Sequence, residues 1–351
     1  MAFIQFITLC GLIIAFFFGQ LTRVSIGYIS FPIIDIFIVF LAIFNLFNHP
    51  QIKNKPLVWF LIYAWINLFI NFFIYKYPLL AAISYLIRLT CILSLIIYPP
   101  QISSKIKYFF ILALISNILF GLIQYLLWPD FTYFKALNWD DHLSRLVSTY
   151  FDPTFTALIY LMFFIFLYLQ KNKSTATAIL ILFTYLAMAL TYSRSTFLAF
   201  IICSVFVGYK LKNIKIFIFG LCLILATILL LPRPPGEGTK LERTSSINAK
   251  YINLNEGLSL FAKSPLIGLG YNNLPSIRNL NTHSSSGFDA SLLTILVTTG
   301  TIGLFLFTLG FKIYFDQISL TKQTILLAVF VHSLFANSLL YPYTLIFLVL
   351  I

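Results

Sequence analysis

The sequence predicts an all-α fold, a polytopic transmembrane helical bundle, and three observations lead there. Apolar residues make up 60% of the 351 positions and charged residues only 9%. Apolar runs long enough to cross a bilayer follow one another almost end to end. Lysines recur in every second short loop between them. A water-soluble domain of this composition would expose a surface of Phe, Leu and Ile and would aggregate. One transmembrane domain over residues 1–351 is therefore expected.

The runs fall at residues 3–20, 27–47, 57–75, 79–98, 106–128, 153–170, 175–190, 195–209, 213–231, 290–311, 323–338 and 339–351, which makes about twelve spans. The first lacks a basic leading region, and the stretch around Phe18-Gly19-Gln20 is no small-residue cleavage site, so it reads as a span and not a signal peptide. The last is short, and Tyr341-Pro342-Tyr343 also fits a kink within a single eleventh helix. Cys10, Cys91, Cys203 and Cys222 all sit inside apolar runs and read as small apolar residues.

Lys53 and Lys55, Lys105 and Lys107, Lys171 and Lys173, Lys210 to Lys215, and Lys312 and Lys322 mark one face, which the positive-inside rule makes cytoplasmic. The opposite face carries two longer connections, Trp128 to Asp152 and a large loop over residues 232–288. Within that loop Ile247, Tyr251, Leu254, Leu258 and Phe261 recur at helical spacing, with Asn248, Lys250, Asn253, Asn255 and Glu256 between them. The pattern predicts an amphipathic helix lying on the membrane or on the bundle. It ends before Ser264-Pro265, and Gly268 and Gly270 follow as turn residues.

Lysine and arginine divide between the faces. The short cytoplasmic loops hold no Arg, whereas Arg23, Arg88, Arg145, Arg194, Arg233, Arg243 and Arg278 lie on the outer side or within a span. Topology needs only positive charge, but a guanidinium adds a planar fork that grips phosphate oxygens. An anion on the outer face is expected, a lipid phosphate or pyrophosphate; contact with lipid head groups alone is the simpler alternative. Arg88, near the middle of the fourth run, must face the bundle interior, a wet cavity or a partner. Asp35 in the second run could pair it.

Leu190-Thr191-Tyr192-Ser193-Arg194-Ser195 joins the seventh and eighth runs. Lys263-Ser264-Pro265-Leu266-Ile267-Gly268-Leu269-Gly270 follows in the large loop, then Thr282-His283-Ser284, Asp289-Ala290-Ser291 and Gly300-Thr301-Ile302-Gly303. A Thr-x-Ser-Arg turn, a loop with Arg and Pro-x-x-Gly-x-Gly, a His and a helix ending Gly-x-x-Gly resembles, in this order, the O-antigen ligase and O-antigen polymerase family. Arg145 through Asp152-Pro153 is similar to an earlier stretch of that family, with Ser148-Thr149-Tyr150 standing in place of its Gly-Thr-Phe.

The resemblance implies glycan transfer from an undecaprenyl-pyrophosphate donor, to a glycan or lipid acceptor, at the periplasmic or outer face of a bacterial cytoplasmic membrane. It implies that Arg194 and Arg243 bind the pyrophosphate and that His283 acts at the reacting centre; the loop also offers Arg233 and Arg278. Arg88 and Arg145 are expected to line the same site. Such a donor is already activated, so no nucleotide and no cofactor is expected. Fixed arginines suit charge developing on the departing pyrophosphate. A histidine or carboxylate suits deprotonation of the acceptor hydroxyl, and His283 with Asp289 meets that need. The usual α linkage of the family's donors implies inversion at the anomeric carbon.

Plainer readings stand beside these. His283 lies in a polar loop and Asp289 opens a helix, where a solvated imidazole and a capping acid are ordinary. Asp152-Pro153 reads as an N-cap and first helical residue. Asp140-Asp141-His142 are adjacent, which rarely lets side chains converge on one ion, so no metal is expected. His332, with Asn337, holds helices together or lines a cavity. The net charge of +13 is spread over loops on both faces and fits membrane lipids and anionic carriers, not nucleic acid. A lipid-linked-sugar flippase or transporter is the rival reading, prompted by Arg88 and Asp35. It predicts polar residues at mid-membrane in repeated halves, which the sequence does not display.

Overall fold

The computed structural model describes residues 2–26, 29–48, 54–76, 79–137, 139–278 and 287–351, and 75% of the described residues are helical. A helix occupies each apolar run. Helix α1 spans Ala2–Phe18, followed by a hairpin of β1 (Arg23–Ile26) and β2 (Ile29–Pro32) in which Val24 pairs with Phe31. Then come α2 (Ile34–Asn48), α3 (Lys55–Tyr75), α4 (Leu79–Ile97) and α5 (Ser104–Leu127). A two-residue ladder, β3 (Asp130–Phe131) with β4 (His142–Leu143), leads to α6 (Pro153–Tyr168), α7 (Thr175–Ala189), α8 (Arg194–Lys210) and α9 (Ile214–Leu230). The large loop carries α10 (Ser245–Phe261) and α11 (Leu274–Arg278), and the chain closes with α12 (Ser291–Gln317), α13 (Leu320–His332) and α14 (Pro342–Leu350).

Helix starts are set locally. Asn54, Ser103, Ser174, Asn213 and Ser319 accept backbone N–H bonds from the first turns of α3, α5, α7, α9 and α13. All five caps lie at the lysine-bearing end of the bundle, where otherwise unpaired donors would have to seek water. Two boundaries differ from the sequence expectation. The second run gives up residues before Ile34 to the hairpin, and the eleventh helix stops at His332. There the buried His332 Nδ1 shares a hydrogen bond with Ser338 Oγ, which folds residues 333–341 into turns before Pro342 starts α14. His332 therefore ties the end of α13 to the turns that follow it.

Helices α6 and α14 are buried on nearly every side, as expected of helices apolar all round. Phe16 meets Phe110, Tyr150 and Tyr343 edge to face at centroid distances of 5.1, 6.0 and 5.6 Å, tying α1, α5 and α14 to the loop before α6. Outer helices instead expose large apolar side chains such as Phe73, Leu225 and Leu229, a surface that suits lipid. Five helices, with α3, α4, α5 and α12 among them, are long and apolar enough to cross a membrane by length and composition. The protein is thus a helical membrane protein.

Helix α12 is broken at Gly300, where φ is +67° and ψ −171°. Segment Ser264–Gly270 inserts at the break. Leu269 N donates to Val297 O at 3.0 Å, Gly270 N to Thr298 O at 2.9 Å and Thr301 N to Pro265 O at 2.9 Å. A Cβ on Gly268 would lie 2.5 Å from Gly300 N, and one on Gly300 would lie 2.1 Å from Leu266 O. The two glycine motifs are halves of one joint, in which backbone must approach backbone. Tyr63, well inside α3, donates to Thr299 O at 3.1 Å and Ile267 O at 3.3 Å, so the inserted segment reaches the middle of α3.

Candidate functional site

The end of the bundle away from the lysine loops gathers the polar side chains, and α5 organises it. Asn117 donates to Thr149 Oγ1 at 2.8 Å and to Phe17 O at 3.2 Å. Gln124 Oε1 accepts from Val147 N at 3.0 Å and Ser148 N at 3.2 Å. These two buried amides pin the loop that carries Arg145 and Asp152 against α1 and α6.

Arg145 is 7% exposed and donates from Nε to Thr191 O at 2.8 Å, while Leu146 N donates to Leu190 O at 3.0 Å. The Thr-x-Ser-Arg turn is thereby locked to the Arg145 loop. Tyr192 takes a left-handed φ of +55° in that turn and donates its hydroxyl to Pro232 O at 2.7 Å. Arg194 opens α8. Its Nη1 donates to Leu241 O at 3.1 Å and Arg243 O at 2.8 Å, and its Nη2 to Ser246 Oγ at 2.6 Å. Arg243 Nη1 donates to Gly238 O at 2.7 Å and Lys240 O at 2.9 Å, and Gly238 packs on the Arg145 side chain.

Three guanidiniums thus share one corner, held by carbonyls and a hydroxyl, and none pairs with a carboxylate among the described residues. Burial, then Arg243 and Arg194, push the proton affinity of Arg145 down to about 9, with Asp152 opposing. Burial and Arg194 lower that of Arg243. Such a corner disfavours its own positive charge and is relieved by an anion.

Beside it lies a cavity of about 450 Å³. Its charged lining includes Arg23, Arg88, Lys250, Asp140, Asp152 and Asp289. Arg88 Nη2 donates to Asp35 Oδ2 as an ion pair, and the guanidinium lies 4.8 Å from the Tyr85 ring centroid. Arg23 is held by Gln20 Oε1 at 2.7 Å and Ser30 Oγ at 3.1 Å, 5.6 Å from the Trp139 ring centroid. Lys250, on α10, donates to Phe335 O. Burial lowers its pKa, Asp289 and Asp152 raise it, and Arg194 and Arg243 lower it again. Lys250 therefore stands between the cavity and the arginine corner. Asn272 Nδ2 and Asn337 Oδ1, also in the lining, are buried polar atoms without a partner among the described residues. They suit a ligand rich in hydroxyls.

The expected site residues sort into two groups. Arg145, Arg194 and Arg243 converge, whereas Arg88 lines the cavity with Asp35 as its partner. Asp289 lines the cavity, and its backbone N–H donates to Asn253 Oδ1 at 2.9 Å. The N-cap of α12 is Ala290, without a side-chain bond, so Asp289 does not cap that helix. His283 lies outside the described residues. Asp152 caps α6, with Oδ1 accepting from Thr154 N at 2.5 Å and Phe155 N at 3.3 Å, and also lines the cavity. The cap pattern hid that second position. Lys250 was missed because it counted only as one polar residue on a helix face; its spacing from Ser246 and Asn253 was the available signal.

A search of curated proteins finds no match. A family model described as O-antigen ligase matches residues 176–308, a stretch holding Arg194, Arg243, His283, Asp289 and both glycine motifs. Over that stretch, from α7 into α12, the chain carries the sequence pattern of the O-antigen ligase family of membrane enzymes.

Proposed function

We propose that this protein is a membrane glycosyltransferase that transfers or polymerises glycan from an undecaprenyl-pyrophosphate donor. The reaction takes place at the outer face of the bacterial cytoplasmic membrane, with about twelve spans and the lysine loops inside. One observation carries the reading. Arg145, Arg194 and Arg243 form a corner without a carboxylate partner among the described residues, beside a 450 Å³ cavity that holds Asp152 and Asp289.

In this reading the corner binds the pyrophosphate. Arg194 spends both terminal nitrogens on Leu241, Arg243 and Ser246, so it orders the corner. Arg145 and Arg243 keep donors for phosphate oxygens. The acceptor hydroxyl attacks the anomeric carbon and the bond from that carbon to the pyrophosphate oxygen breaks, with inversion. The acceptor proton passes to His283 or Asp289, and the electron pair leaves on the pyrophosphate, stabilised by fixed guanidiniums. No metal is required, because the arginines supply the positive charge. Arg88 and Arg23 face the glycan side of the cavity. The Arg88–Asp35 ion pair accounts for both charges that prompted the flippase alternative.

The test is glycan assembly in cells lacking the native enzyme, complemented with wild type, Arg145→Ala, Arg194→Ala, His283→Ala or Asp289→Ala at matched membrane abundance. The transferase reading expects wild type to restore polymer or capped lipid. It expects the arginine variants to lose on the order of a hundredfold or more and to accumulate the lipid-linked donor. Full function in all four variants would overturn the site.

A further inference from the structure

Helix α10 is amphipathic in the opposite sense to a helix packed on a protein from water. Its protein-facing side is mostly polar. Ser246 meets Arg194 at 2.6 Å, Lys250 meets Phe335 O, and Asn253 meets the Asp289 backbone at 2.9 Å. Gly257 and Leu260 complete that stripe, Gly257 against Leu293. The apolar stripe points elsewhere: Ile247, Tyr251, Leu254 and Leu258 are 54, 64, 42 and 46% exposed. At about 100° per residue, the two stripes lie roughly a quarter-turn or more apart. A third stripe of Asn248, Asn255 and Ser259, with Ile252 at its far edge, follows on the far side of the apolar one, and it too is exposed.

Three stripes imply three surroundings. One stripe meets the bundle and one is suited to water. The apolar one must meet something else, and its position says what. At its C-terminal end α10 packs along the first half of α12, through Leu260, Leu293 and Val297. The chain then enters the break in α12, where Leu266 is exposed and its carbonyl accepts from Ile302 N at 3.4 Å. Ile302 and Phe305, on the apolar helix α12, are likewise exposed. The chain thus runs from the exposed apolar stripe of α10 through the exposed Leu266 to a helix long and apolar enough to cross a membrane, which itself exposes apolar side chains.

We infer that α10 lies in the interfacial zone of the leaflet on the cavity side, with Ile247, Tyr251, Leu254 and Leu258 among the acyl chains. Its Asn and Ser stripe faces water, and its Lys250 stripe walls the cavity. Seating in lipid then sets the depth at which Lys250, Ser246 and Asn253 meet the site. A lipid-linked substrate would meet this helix at the level of its phosphates. The inference rests on helix geometry and stands whether or not the chain transfers glycan.

The probe is an environment-sensitive fluorophore on a cysteine introduced by Leu254→Cys or Asn255→Cys, in the full chain reconstituted in phosphatidylcholine vesicles. The signal of the identically treated parent chain, with its four native cysteines, is subtracted. The label at 254 should emit at shorter wavelength and be quenched by doxyl lipids about threefold or more above the label at 255, with iodide showing the reverse order. Equal iodide quenching at both positions would overturn the inference. So would shielding of position 254 from both quenchers, which would mean that protein covers the stripe. If either cysteine variant fails to fold, Tyr251→Trp in vesicles of brominated lipid reads the same face: quenching beyond that of the parent supports the inference, and its absence overturns it.

Discussion

The joint between the two glycine motifs sets up a sharp expectation for Gly300→Ala. The residue sits at φ +67° and ψ −171°, a region that is essentially glycine's alone. Forcing alanine there costs about 1–3 kcal/mol in backbone strain. Its Cβ would also lie 2.1 Å from Leu266 O, 2.4 Å from Leu266 C and 2.7 Å from Ile267 N. These are backbone atoms that no rotamer change can remove, so segment Ser264–Gly270 must retreat by about an ångström or more to reach ordinary contact. That motion strains the three bonds at Val297 O, Thr298 O and Pro265 O. Each is worth roughly 0.5–1.5 kcal/mol net. Together the terms come to about 2.5–7.5 kcal/mol if all three bonds are lost. Gly257→Ala is the control, since its Cβ would meet Leu293 Cδ2 at 2.6 Å, the far end of a side chain that can turn away. Thermal unfolding of both variants in one detergent should show a large loss for Gly300→Ala and a smaller one for Gly257→Ala. A Gly300→Ala chain as stable as wild type would refute the interlocked joint.

Three further expectations follow from the charged groups. Inorganic pyrophosphate should raise the unfolding temperature of the purified protein, by the equivalent of about 2.7 kcal/mol at a hundredfold excess over its Kd; Arg145→Ala should abolish most of the shift in the same thermal assay. Asp35→Asn should leave the Arg88 guanidinium buried and unpaired, costing about 3–5 kcal/mol, while the double variant with Arg88→Met should recover much of that loss in a double-mutant cycle of unfolding. The third concerns His142, whose pKa is lowered by burial, with Arg145 contributing, and whose Nε2 is buried without a partner among the described residues. A base with a depressed folded pKa adds stability above its unfolded pKa and loses it as pH falls toward the folded value. Stability should therefore decline below about pH 6.5, and His142→Asn should flatten that decline in unfolding curves collected across pH.

Much of the molecule was legible in the chain because the relevant forces are local or one-dimensional. Apolar runs placed every long helix but α10, since a bilayer leaves a long apolar segment little else to do. The cap at Asp152, before Pro153, marked the start of α6, because a side-chain oxygen reaches N–H groups only two or three residues away. The order of Arg194, the Pro-x-x-Gly-x-Gly segment and the Gly300–Gly303 motif carries a resemblance to the family whose model matches residues 176–308.

Tertiary structure alone decided the rest. The break in α12 reads as ordinary apolar helix in sequence, because the partner that makes Gly300 necessary, Leu266, lies 34 positions earlier in the chain. The apolar stripe of α10 was visible, but helical period states only that a stripe exists and not which neighbour it faces; the polar stripe took the protein side because Arg194, Phe335 and Asp289 needed partners there. Sequence likewise marked the arginines as one set. The fold divided them, giving Arg88 to Asp35 across two spans and bringing Arg145, Arg194 and Arg243 to one corner. Charge type can be read residue by residue, but whether a charge is neutralised depends on which distant segment the fold lays beside it.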